Sequence, residues 1–146
     1  MRRRIAWLAL SLLALLALGA AGVLGWRWIQ HERAEREARQ AVYFYIRLTE
    51  RYSAPEVWGI LPYASPRALT QTYSLLTGIA PPPEMVEAHA ELIEGYKIIF
   101  GGQKLLLQGH ADGVVRAEAE FMEAWGLARV REHYRLIREY REKHPP

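Results

Sequence analysis

The chain has 146 residues, 51% of them hydrophobic, and no cysteine, so it can hold no disulfide scaffold, thiolate metal site, cysteine nucleophile or cysteine-linked lipid. Its net charge of +3 is uneven: residues 1–51 carry nine Arg against four Glu, residues 52–128 four basic against nine acidic residues, and residues 129–146 six against three. The basic excess belongs to the two ends, which excludes the domain-wide basic surface of a nucleic-acid binder.

The first element is apolar. After Arg2, Arg3 and Arg4 the run from Ile5 to Ile29 is broken only by Arg27. Its core, Ile5 to about Leu24, is long enough at 1.5 Å per helical residue to match a hydrocarbon layer of roughly 30 Å. Trp7 at one end and Trp26 and Trp28 at the other stand where an aromatic belt marks the two interfaces. Residues 1–29 are therefore expected to form a retained transmembrane signal anchor. The alternative is a cleaved signal peptide, because Ala17 to Gly22 offers small residues before a cleavage point and the three arginines form an n-region. Arginines flank both ends; Glu32, Glu35 and Glu37 dilute the second cluster, which places the N-terminus in the cytoplasm and the rest of the chain outside. Ala17, Ala21 and Gly25 recur every four residues, the small-residue pattern through which membrane helices pair.

No Gly or Pro separates Arg27 from Tyr52, so the anchor is expected to continue as one helix. Residues 30–40 are charged all round and read as a solvated stalk. From Ala41 the chain turns aromatic and aliphatic, marking the start of a helical-bundle domain over 41–146. Ser53 with Glu56 reads as a capping box for a short helix near Val57 that Pro62 ends. Ser65 as N-cap and Pro66 at the first helical position open another, which Gly78 closes. Pro81 to Pro83 form a stiff connector.

Two long helices follow, Glu84 to Gln108 and Val114 to Glu142, with a turn around Ala111, Asp112 and Gly113. So short a connection makes them antiparallel, and residues whose numbers sum to about 222 become neighbours. Glu87, Glu91 and Glu94 then face Arg135, Arg131 and Arg129. The fold class is all-α: a single N-terminal transmembrane helix leading into a small antiparallel bundle.

Read in sevens, the first long helix shows two apolar columns, Met85, Leu92, Ile99, Leu106 and Val86, Ile93, Phe100, Leu107. A third column is small: Ala88, Gly95, Gly102 and Gly109. Glycine inside a helix costs about 0.8–1 kcal/mol against alanine, so this column implies close approach of another helix, with Ala41–Tyr52 as the expected neighbour. The alternative is room for a ligand. The fourth column, His89, Tyr96, Gln103 and His110, falls inside the apolar arc at 100° per residue. The second long helix puts His133 on its inner face, and the pairing sum sets it beside His89.

His89, Tyr96, Gln103 and His133 thus form a polar cluster in the core, either hydrogen-bonded filling or the lining of a ligand or metal pocket. No phosphate loop, Gly-x-Ser-x-Gly elbow, His-Glu-x-x-His or Cys-x-x-Cys-His motif occurs, so neither enzyme nor cofactor is expected. The chain resembles small exported helical proteins of bacteria. The expected role is a scaffold or accessory binding protein of the cell envelope, with the bilayer and a protein partner or second copy as its contacts. The alternatives are a membrane-tethered ligand or metal sensor and a soluble secreted protein after signal cleavage.

Overall fold

The computed structural model describes the backbone of residues 2–108 and 112–145 and the side chains within residues 18–108 and 112–145. Regular structure among the described residues is helical: α1 (Arg2–Thr49), α2 (Pro55–Trp58), α3 (Pro66–Thr77), α4 (Val86–Leu107) and α5 (Gly113–Lys143). Short 3-10 turns lie at Glu50–Tyr52, Leu61–Tyr63 and Pro83–Met85. The chain divides into two compact units, Met1–Gln40 and Ala41–Pro146.

In the first unit the charged part of α1 is laced along its own surface. His31 Nε2 lies 3.2 Å from Glu35 Oε1, Arg36 pairs with Glu32, and Arg39 reaches Glu35 at 4.0 Å. Exposed pairs of this spacing each contribute only a few tenths of a kcal/mol. Among the described residues no helix is long and apolar enough to cross a membrane. The apolar run begins at Ile5, and its side chains through Ala17, including that member of the pairing stripe, lie outside the described residues. Ala21 and Gly25 are exposed, and a Cβ on Gly25 would meet nothing within 4 Å.

The second unit packs four helices together: the end of α1, α3, α4 and α5. One cluster joins Leu69 and Leu76 of α3 to Leu92, Tyr96 and Ile99 of α4 and Val130 of α5. The other joins Val42, Tyr45 and Ile46 of α1 to Ala88 and Ile137. Ser65 caps α3 as its sequence implies, accepting from the Ala68 N–H at 3.2 Å with Pro66 behind it, and Gly78 is the C-cap. Ser65→Ala is expected to cost about 1 kcal/mol in urea denaturation of the full chain, and an unchanged midpoint would contradict the cap.

Five sequence expectations are corrected. Ser53 does not cap α2, whose N-cap is Ala54 without a side-chain bond; its hydroxyl is drawn into the core instead. α2 ends at Trp58 with Gly59 as C-cap, ahead of Pro62. The second apolar column of α4 joins the core only in its middle: Ile93 and Phe100 are half-buried against the core cluster, whereas Val86 is 55% and Leu107 67% exposed. The expected cross-helix ion pairs are exchanged: Glu91 meets Arg129 at 2.7 Å and not Arg131, which lies over the Trp58 ring, Glu94 pairs with Lys97, and Arg135 turns to Glu132 and Glu139 of its own helix.

The small column of α4 is met by α5, not by the Ala41–Tyr52 helix. A Cβ on Gly95 would stand 2.8 Å from the Gly126 carbonyl oxygen, and one on Gly126 2.7 Å from the Gly95 carbonyl oxygen. A Cβ on Gly102 would stand 2.9 Å from the Ala119 carbonyl oxygen. Ala88 is buried toward α1 and α5, and Gly109 lies outside the described residues. The backbones of α4 and α5 therefore touch, which fixes their register and aligns the polar residues they carry.

Candidate functional site

That register brings the polar residues of α4 and α5 onto α1. Tyr45 enters from α1, with its helical turn braced by Thr49 Oγ1 donating to the Tyr45 carbonyl at 3.0 Å. The Tyr45 hydroxyl stands 3.1 Å from His89 Nδ1 and 3.4 Å from His133 Nε2. On its far side His133 Nδ1 lies 2.7 Å from Ser53 Oγ, which reaches the Glu50 carbonyl at 3.3 Å. Tyr45, Ser53 and His133 are buried, and His89 is nearly so.

The direction of the protons follows from the end of this chain. The Glu50 carbonyl can only accept, so Ser53 O–H donates to it and Ser53 Oγ accepts from His133 Nδ1–H. The neutral His133 ring then accepts at Nε2 from Tyr45 O–H, and the Tyr45 oxygen accepts from His89 Nδ1–H. Every hydrogen bond is satisfied with both rings neutral. Burial favours that state. It lowers the His133 pKa to about 3, helped by His89 close by, lowers that of His89, and pushes the Tyr45 phenol up to about 12.

The rest of the polar line on α4 serves the irregular segment between α1 and α3. Tyr96 Oη donates to the Tyr52 carbonyl at 2.9 Å, and Gln103 Nε2 donates to the Pro62 carbonyl at 2.6 Å. Trp58 Nε1 donates to the Ser53 carbonyl at 2.8 Å. Segments without regular structure leave backbone carbonyls that need donors, and the line supplies them. Among the described residues no buried side-chain nitrogen or oxygen lacks a partner.

The cluster anticipated from sequence therefore exists as two parts. His89 and His133 meet at Tyr45, whereas Tyr96 and Gln103 pin the loop; the four share no cavity among the described grooves. No group of three or more His, Cys, Asp or Glu converges as metal ligands among the described residues. His110 lies outside them. Ser53 and His133 have the spacing of a nucleophile and base, but both are wholly enclosed and offer a substrate no approach in this conformation.

Two open surfaces are also present, the first of them bordered by Tyr45 itself. A groove of about 430 Å³ is walled by Phe44, Tyr45 and Leu48 of α1 and by Ile79 to Pro82. The other is the outer face of α5, with Val114, Phe121 and Trp125 exposed. Sequence reading missed Tyr45 and Ser53, since nothing local marks a residue where three helices meet. It missed the outer face of α5 although the signal was present: a second apolar series, Val114, Ala117, Phe121, Ala124 and Ala128, runs opposite the inner one.

No protein family, no curated protein and no solved structure matches this chain.

Proposed function

We propose that this chain is a membrane-anchored accessory protein whose helical bundle, on the extracytoplasmic side, works by holding another protein. The observation that carries this reading is the exposed aromatic face of α5. A large apolar surface left open on a small domain is the usual mark of an interaction site, and Val114, Phe121 and Trp125 lie together on one helix face while the polar groups of the interior are already paired. The anchor is supported by the length of the apolar run from Ile5, the three arginines before it and Trp26 and Trp28 after it.

The test is photo-cross-linking of the full-length chain in native membranes, with a benzophenone amino acid at Phe121 or, as a control, at exposed Arg67. A discrete adduct at 121 that stays in the membrane pellet after alkaline extraction is the expected result. Adducts that are the same from both positions, or none from 121, would overturn the binding role. Release of the chain by alkali, or a mature N-terminus between Ala20 and Trp26, would overturn the anchor.

A further inference from the structure

The outer face of α5 has an internal spacing that specifies what fits it. Val114, Ala117, Phe121, Ala124 and Ala128 are all exposed, and they follow one another in steps of three, four, three and four. That is the seam by which one helix receives another, with side chains of each seated between those of its partner. Val114 is 74% and Phe121 68% exposed; Trp125 stands beside the seam with its ring 6.4 Å from that of Phe121. Over the same stretch Ala119, Met122 and Gly126 contact α4, so the seam is the opposite face of a helix whose inner face is already used.

The charges beside the seam select the partner. Glu118 borders it on one side and Glu120 on the other, about 100° from the buried line. Both are exposed, and among the described residues neither has a cation within ion-pair distance. Farther along α5 the glutamates are matched within the helix: Glu132 and Glu139 with Arg135, and Glu142 with Arg138. Residues 114–128 hold three glutamates against Arg116 alone. A second copy of this stretch brings more acid to the seam, and an anionic bilayer surface is repelled by the same carboxylates.

We propose that the Val114 to Ala128 face of α5 is the docking site for an amphipathic helix of another protein, whose own apolar seam is flanked by Lys or Arg. This rests on the chain being a binding protein and adds the chemistry of what it binds. Phe121 and Trp125 supply the aromatic anchor; Glu118 and Glu120 supply the choice of partner.

The full-length chain in detergent micelles is titrated against two labelled synthetic 21-residue helices with identical Leu/Ala seams, one flanked by Lys and one by Glu, with binding read by anisotropy. The Lys-flanked helix is expected to bind at least tenfold more tightly. Phe121→Ser with Trp125→Ser removes that binding, and Glu118→Lys with Glu120→Lys reverses the preference. All four positions are exposed, so circular dichroism should be unchanged. Equal binding of both helices, binding of neither, or binding that survives Phe121→Ser with Trp125→Ser overturns the proposal. So does sedimentation showing a dimer that Phe121→Ser dissociates, which would give the face to a second copy. A protein cross-linked at Phe121 together with no binding of the Lys-flanked helix would leave the chain a binding protein with a different partner chemistry.

Discussion

Alanine at Gly95 or at Gly126 is expected to destabilise the bundle by about 1–3 kcal/mol each, while alanine at Gly101, six residues along the same helix from Gly95, is expected to leave stability unchanged or raise it by up to ~1 kcal/mol. In all three the new methyl improves helix propensity by the same amount, so the difference isolates what the methyl meets. At Gly95 it meets the Gly126 carbonyl oxygen and Val130 Cγ2, both at 2.8 Å; at Gly126 it meets the Gly95 carbonyl oxygen and Ile99 Cγ1, both at 2.7 Å. A carbonyl held in a helix cannot move aside alone, and relief requires α4 and α5 to part along their length. At Gly101 the contact is the terminal methyl of Met122 at 2.8 Å, the end of a flexible side chain that can swing away. Urea denaturation of the three full-length variants measures this order. Equal effects at the three sites would mean that the helices are not held at backbone contact.

The same crossing separates what was legible in the sequence from what was not. The interval of seven between Gly95 and Gly102 announces a close approach, and the turn before Val114 announces an antiparallel hairpin. Together they name the partner, because Gly126 faces Gly95 under nearly the same pairing sum that sets His133 beside His89. Taken without the hairpin, the column does not distinguish α5 from the Ala41–Tyr52 helix as its neighbour. Ser65, Pro66 and Gly78 were legible because capping is settled within four residues. Ser53 carries the same local signature and departs from it. Its hydroxyl has a better-buried partner in His133, eighty positions away, and no local pattern can rank a tertiary contact against a cap. Position along the helix accounts for Val86 and Leu107: the core clusters bury Met85, Leu92, Ile99 and Tyr96 and take Ile93 and Phe100 at their edge, leaving the two ends of that column in water.

Acidification is expected to weaken the bundle through the Tyr45 node. His133 titrates near pH 3 when folded and near its ordinary 6.5 when unfolded, and His89 is shifted in the same direction by burial. Between those limits the unfolded chain binds more protons than the folded one, so stability must fall as pH falls. The contribution is fully present above about pH 6.5 and is lost progressively toward pH 3. From pH 8 to 5 the loss from His133 alone is roughly 2 kcal/mol, or roughly 10 °C in Tm for a domain of this size. The hydrogen bonds give the loss a structural form. One added proton can be carried with every bond kept, since the Tyr45 O–H can point to either ring. Two cannot: His89 Nδ1–H and His133 Nε2–H then both aim at the Tyr45 oxygen, whose own proton is left without an acceptor in the node. Thermal melts of the full-length chain across pH 8 to 5 should therefore slope downward in the wild type and run nearly flat in a His89→Gln, His133→Gln double variant. Glutamine lowers the absolute Tm by whatever the imidazoles contribute to packing, but it cannot titrate, so the slope alone carries the comparison. The same slope in both proteins would place the acid-sensitive groups outside the node.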